Sequence, residues 1–306
     1  VGSAPPALAA LQALHQLTCL AISRLNSSIS ASNVPGFSKL TALQHLSVSL
    51  TSNGPDNFPI DPAVLPAAVQ LQHLELRRVN IDLPADDGAA FLAWLGKLEH
   101  LTSLTLWMVD GAQYGLAITR EAITASTGLQ VLDLSHSWLD ADTHPPRSTS
   151  SVWCHIFKSG KRLPQLRTLK LQGTFPPPLT TDIQHVTQCC PALQQLDLQT
   201  TGWSHPVSLR NLLQLSALTD FSVSRINDSL VADCLAQLTE LRQMRISGFC
   251  AELTEAGFQQ LTALKQLTCL RLGRSFEAPK LSCEVLAQMT AIAPHKGWAI
   301  ISKVSS

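Results

Sequence analysis

Ten times along this chain of 306 residues a leucine is followed, three and five residues later, by two more apolar side chains. The leading positions are Leu17, Leu43, Leu71, Leu101, Leu129, Leu166, Leu193, Leu218, Leu241 and Leu267. The second position is leucine everywhere except Phe221 and Met244, and the third is always leucine, isoleucine or valine. In an extended strand, residues two apart share a face, so the second and third positions point the same way and the residue between them points the opposite way. One such triplet would mean little. Ten of them describe units that cannot bury an apolar face alone and must stack to do so.

The first strand leucines, from Leu20 to Leu270, are separated by 26, 28, 30, 28, 37, 27, 25, 23 and 26 residues. After each strand roughly 15 to 20 residues remain, which suits a short helix and exceeds a plain turn. Helix cues recur in those stretches. Asp61-Pro62 opens a segment reaching Val69, Asp87 one reaching Lys97, Thr119 one reaching Ser126, and Ser150 one reaching Ser159. Thr181 is placed to cap 182–190, Asp228 to cap 229–237, Thr254 to cap 255–261 and Ser282 to cap 283–291.

The repeated L-x-x-L-x-L phrase resembles the core of the leucine-rich-repeat family, and the resemblance spans nearly the whole chain. It implies an α/β fold: a right-handed solenoid of horseshoe form, with a parallel concave sheet of about ten short strands and short helices on the convex side. Residues 1–306 are expected to form a single domain, closed by a C-terminal cap over 279–306 in which Trp298 to Ser302 reads as a last strand. Cys190-Pro191-Ala192-Leu193-Gln194-Gln195-Leu196-Asp197-Leu198 is similar to the C-P-x-L-x-x-L-x-L phrase of the ribonuclease-inhibitor-like, cysteine-containing repeats of F-box receptors. Leu253-Thr254-Glu255-Ala256-Gly257-Phe258 echoes the opening of their helices. The implied function is a non-catalytic module that binds a protein partner through its concave face. The narrower alternative is a substrate receptor in a multi-subunit ubiquitin-ligase complex, with its F-box outside this segment. One departure stands out: the column where the family often places asparagine reads Leu25, Thr51, Val79, Val109, Ser137, Thr174, Thr201, Ile226, Phe249 and Ser275. The turns must then satisfy their backbone groups with hydroxyls, water or other backbone.

Charged residues are 14% of the chain, against about 25% in typical domains, and 22 basic side chains balance 22 acidic ones. That is no electrostatic footprint for nucleic acid or an anionic membrane. No apolar run approaches the length of a spanning helix, and the N-terminus lacks a signal-like pattern, so the chain reads as soluble. Its eight cysteines are scattered, and Cys190 occupies a column that is leucine in most repeats, which predicts buried free thiols. Together with the resemblance, the scatter points to an intracellular, cytoplasmic setting. Cys154-His155 and His185 with Cys189-Cys190 lack zinc-ligand spacing. No phosphate loop or nucleophile elbow is present, so neither cofactor nor catalytic activity is expected.

Side chains between the leucines should face the concave surface. The column between the two strand leucines reads Ala21, Ser47, Glu75, Thr105, Asp133, Lys170, Asp197, Ser222, Arg245 and Arg271, and the next outward column includes Arg77 and Trp107. Glu75, Arg77, Trp107, Asp133 and Lys170 are expected to cluster, with Arg78, Met108, His136 and Trp138 at the turn edge. Tryptophan and arginine dominate interface hot spots, which makes Trp107 the expected anchor; the alternative is a tryptophan folded over its neighbours for packing. Arg225, Arg245, Arg271 and Arg274 form a second group, suited to an acidic partner or a phosphate unless Asp220, Glu240 and Glu255 balance it. The 37-residue interval places an insertion near 140–151, a candidate contact arm.

Overall fold

The computed structural model describes residues 14–25, 39–50, 68–78, 93–107, 123, 126–137, 153, 156–157, 162–174, 178–199, 209–273, 276–277, 281–285, 287 and 299–302. Met108, Trp138, Arg274 and the 140–151 insertion lie outside them. The chain forms two compact units, Val1–Ile156 with Thr174–Pro176, and Phe157–Gly173 with Pro177–Ser306.

In the first unit, strands β1 (Cys19–Leu25), β2 (His45–Leu50), β3 (His73–Arg77), β4 (Ser103–Trp107) and β5 (Val131–Asp133) follow one another in a parallel sheet. Leu20, Leu46, Leu74, Leu104 and Leu132 stand opposite one another in register. Leucine is a mediocre strand former, so context supplies the preference: Leu46, Leu74, Leu104 and Leu132 are at most 1% exposed, stacked on their counterparts. Just before each of β2 to β5, two successive N–H groups converge on one carbonyl of the preceding repeat. Gln44 and His45 donate to Thr18 O at 2.8 and 2.9 Å, Gln72 and His73 to Gln44 O, and Thr102 and Ser103 to Gln72 O.

The hydroxyl solution expected for the turns is used. Ser137, in the column that lacks asparagine, donates from Oγ to Leu106 O at 2.5 Å. Ser126 replaces an apolar residue at a fully buried position, and its hydroxyl donates to Leu101 O. Thr102 Oγ1 adds a third donor to Gln72 O at 3.0 Å. Where that column holds Phe249 the turn is solved differently. Phe249 bridges to Glu277, Cys250 N donates to Glu277 O at 2.6 Å, and Glu277 N donates to Gly248 O at 3.0 Å.

The second unit contains β6 (Thr168–Lys170), α1 (Thr180–Cys189), β7 (Gln195–Leu198), β8 (Asp220–Val223), α2 (Asp228–Asp233), β9 (Gln243–Ile246), α3 (Glu255–Gln260), β10 (Cys269–Leu272) and β11 (Ala299–Ser302). Its strands are again parallel and consecutive, and β11 supplies the expected last strand by pairing with β10. Short 3₁₀ turns, Arg210–Gln214, Leu235–Gln237 and Leu261–Ala263, complete the return segments. The helices bury Ile183, Val186, Leu230, Val231 and Phe258.

The helix starts differ from the sequence cues in an instructive way. Helix α1 begins at Thr180, ahead of the expected Thr181 cap, because the Asp182 carboxylate reaches back to accept the Leu179 N–H at 2.7 Å. At α2 the cap is Asn227, whose Oδ1 accepts the Leu230 N–H at 2.8 Å, and not Asp228. Asp228 is engaged elsewhere, since its carboxylate accepts from Thr254 N at 2.8 Å and Thr254 Oγ1 at 2.5 Å. Thr254 does precede α3 as expected, but its hydroxyl serves Asp228 and not the helix. Gly257 completes the joint, because a Cβ there would lie 2.0 Å from Asp228 Oδ1. Of the earlier expected helices, 93–95 and the single positions Ile123, Trp153 and Ile156 are helical among the described residues, whereas Ala68, Val69, Gly96 and Lys97 are not.

Candidate interaction surface

The strand alternation produces the outward columns, but not all of them are open. Between the strand leucines, Glu75, Asp133, Lys170 and Arg245 are half-buried and Arg271 is exposed, whereas Asp197 is only 8% exposed. In the next column Ser135, Gln199 and Ser224 are buried as well, contrary to the expectation of open solvent. The cause is local for Asp197, whose Oδ1 accepts the Gln199 N–H at 3.0 Å and folds the side chain back onto its own turn. Asp133 does the same with the Ser135 N–H at 3.0 Å.

In the first unit, register sets Glu75 beside Ser47 and Arg77 beside Trp107. Ser47 Oγ donates to Glu75 Oε2 at 2.6 Å, and Arg77 Nε donates to Glu75 Oε1. Partial burial raises the Glu75 carboxyl, but the Ser47 hydroxyl and the Arg77 guanidinium outweigh it and hold the group below its ordinary range. Arg77, steadied in this way, lies 5.9 Å from the Trp107 ring centroid, and Arg78 lies 5.3 Å from it. From the following repeat His136 meets the same ring edge-on at 5.7 Å. Trp107 itself is half-buried. Trp107 packs on its neighbours and still presents part of its surface, as cation–π geometry allows.

Arg78 and His136 share a backbone peculiarity. Their φ angles are 55° and 58°, in the left-handed region, at the repeat position that Gly173 and Gly248 occupy elsewhere. For a side-chain-bearing residue this costs on the order of 1 to 3 kcal/mol. The cost falls at the two residues that flank Trp107 from opposite sides, and Arg78 N donates to Trp107 O at 2.8 Å.

Of the other anticipated residues, Lys170, Arg245 and Arg271 lie in the second unit, on β6, β9 and β10. Met108 and Trp138 lie outside the described residues. The sequence reading missed the column just before the first strand leucine. There His45 and His73, paired in register across β2 and β3, stack with centroids 4.2 Å apart and planes 11° from parallel. Desolvation and the neighbouring His45 lower the basicity of His73. Two histidines at one repeat position were the available signal.

Of the seven described cysteines, all free, Cys189, Cys190, Cys234 and Cys250 are buried as expected, whereas Cys269 is half-buried and Cys19 and Cys283 are exposed. Burial, reinforced by Cys189, pushes the Cys190 thiol far up, and burial with Asp233 pushes Cys234 up to about 12, so neither is a thiolate at neutral pH. Among the described residues no group of three His, Cys, Asp or Glu could hold a metal ion, and no helix is long and apolar enough to cross a membrane.

Consecutive parallel strands, a leucine ladder in register and short helices returning between strands define a leucine-rich-repeat fold. No protein-family model matches the chain, and no curated protein matches it significantly. Among solved structures it is similar to a leucine-rich-repeat protein of Leptospira interrogans, with 18% identity, a TM-score of 0.46 and coverage of 95% of this chain and 74% of that one. It is also similar to an internalin of Listeria monocytogenes, at 14% identity and a TM-score of 0.44, covering 97% and 89%. A third is the leucine-rich-repeat ectodomain of a membrane receptor kinase from Arabidopsis thaliana in complex with Casparian Strip Integrity Factor 2, at 18%, 0.45, 87% and 31%.

Proposed function

We propose that this chain is a non-catalytic module that binds a protein partner through the outward side of its strands, with Trp107 as the anchor. The observation that carries the reading is the Trp107 ring, half-exposed on β4 and held by Arg77, Arg78 and His136. A pre-positioned aromatic loses little conformational freedom on binding, and tryptophan and arginine are the residues whose truncation most often costs an interface dearly. Glu75 extends the patch by fixing Arg77. Asp133 lies two strands away on β5, and Lys170, Arg245 and Arg271 offer charges on the second unit. The test is affinity capture from cell extract with mass spectrometry, comparing the native chain with Trp107→Ala and Arg77→Ala. Partners lost with both variants support the reading, and an unchanged set of partners sinks it.

The narrower reading is a substrate receptor of a ubiquitin ligase, working in an intracellular, reducing compartment. It is supported by the phrase from Cys190 to Leu198, in which Cys190 closes α1 as a buried thiol and Leu193, Leu196 and Leu198 are fully buried. Co-capture of a ligase scaffold would support it, and capture of partners without one would remove it.

A further inference from the structure

Strands β9 and β10 set Arg245 and Arg271 opposite each other in register, so that two guanidinium groups leave neighbouring strands about 4.8 Å apart. Arg271 is exposed and Arg245 half-buried, and among the described residues neither has an ion pair, hydrogen bond or ring contact. The carboxylates that the sequence offers as counter-charges are all placed elsewhere. Glu255 sits on α3 and accepts from Gln259 Nε2 at 2.9 Å. Glu240 occupies the turn before β9, and Asp220 stands opposite Gln243 while taking the Thr219 hydroxyl at 3.0 Å. Like charges directly opposite on a sheet repel, so this pair is a cost unless an anion joins it. The surroundings leave room for one. Ser222 is in register with Arg245, Ser247 follows Arg245 on the same face, and Gly273 follows Arg271 without a side chain.

We propose that Arg245 and Arg271 together bind the phosphate of a phosphorylated serine or threonine in an extended segment of a protein partner. A carboxylate carries one charge and two oxygens, enough for one guanidinium fork. A phosphate monoester carries roughly −1.5 to −2 at neutral pH with three acceptor oxygens, which matches two forks side by side. The serine hydroxyls beside the pair add neutral donors. The proposal rests on the protein-binding reading only in taking the phosphate to be protein-borne, and it concerns a different unit from Trp107.

The experiment titrates the ¹⁵N-labelled chain with three capped pentapeptides, carrying phosphoserine, glutamate or serine between alanines, and with inorganic phosphate, following the arginine Nε–H resonances. The phosphopeptide should shift Arg245 and Arg271 saturably and bind at least about tenfold more tightly than the glutamate peptide or free phosphate. Arg245→Gln and Arg271→Gln should each weaken it about tenfold, and Arg271→Lys should do so too because it keeps the charge but loses the fork. Melting midpoints of the two Arg→Gln variants should not fall, since each removes a like-charge pair, and Trp107→Ala should bind the phosphopeptide normally, which separates this result from failure of the Trp107 surface. Equal binding of the glutamate peptide or of free phosphate, or phosphopeptide binding indifferent to both Arg→Gln changes, overturns the proposal.

Discussion

The two units use the same ladder, and among the described residues their polar side chains make different kinds of contact. In the first, the outward side of the strands holds the stacked pair His45–His73, the Ser47–Glu75–Arg77 chain and Trp107 between Arg78 and His136. In the second, the polar bonds that stand out join one return segment to the next: Asp228 to Thr254, Arg210 to Asp233 at 2.7 Å, and Cys234 Sγ to Leu209 O at 3.1 Å. The difference teaches that this fold separates holding from displaying. Leucines and turn carbonyls hold the described repeats, so the remaining residues are free to brace return segments, as Asp228 and Thr254 do, or to furnish a face, as the residues around Trp107 do.

The sharpest break of that comparison is Leu132→Asp, which puts a charge at a position with no exposure. It should cost more than about 3 kcal/mol and remove hydrogen-exchange protection over β2 to β5. Persisting protection would show that the ladder does not hold the first unit. Next in size, Asp228→Ala should cost about 1 to 3 kcal/mol by orphaning the Thr254 N–H and hydroxyl. Gly257→Ala should cost a similar amount, yet the double variant should lose less than the sum of the two, since Asp228→Ala removes the Oδ1 and Cγ contacts at 2.0 and 2.6 Å and leaves only the Asp228 Cα at 3.0 Å. Additive losses in denaturant melts would refute the joint.

On the display side, Trp107→Ala should weaken partner binding by about 2 kcal/mol while leaving the melting midpoint nearly in place. Arg78→Gly should do the reverse, raising stability by about 1 kcal/mol through relief of its left-handed φ of 55° while lowering affinity. The smallest effect is in pH. Folded His73 holds its proton less firmly than the unfolded chain, so the unfolded state takes up more protons as the solution acidifies. That contribution is fully present above pH 6.5 and fades as pH falls through the lowered value. The midpoint should therefore drop slightly on going below 6.5, and His45→Gln should move the His73 titration back towards 6.5. A His73 titration unmoved by that change would discount the stack.

The fold was legible because its cause is a period: ten leucine triplets name the strands, their register and the buried side together. The caps of α1 and α2 were not, because each depends on a choice between adjacent polar residues that only the packing makes. Asp228 looked like a cap and proved to be a brace because Thr254, 26 residues on, stood within its reach. The site was legible in part. Alternation pointed to Glu75, Arg77 and Trp107, but it predicted open solvent for Asp197, Ser135, Gln199 and Ser224, which are covered. Alternation gives a direction, and burial depends on what lies beyond. The histidine stack escaped because it lies one residue ahead of the strand leucines, a column the triplet does not mark. The left-handed backbone at Arg78 and His136 has a trace only in Gly173 and Gly248, too sparse to notice before the angles are known.

The paired N–H groups that meet a single carbonyl at the start of β2 to β5 and of β7 to β10 have a consequence for how such a chain can change. They tie such a coil to the one before it at one fixed point, and nothing in that tie senses how many residues intervene; ties spanning 23 and 30 residues coexist here. Duplication or loss of a whole coil between two such ties leaves every surviving tie intact. Lineages and engineers alike can therefore lengthen or shorten this molecule by cutting just ahead of the strands, with the leucine spine closing behind the splice.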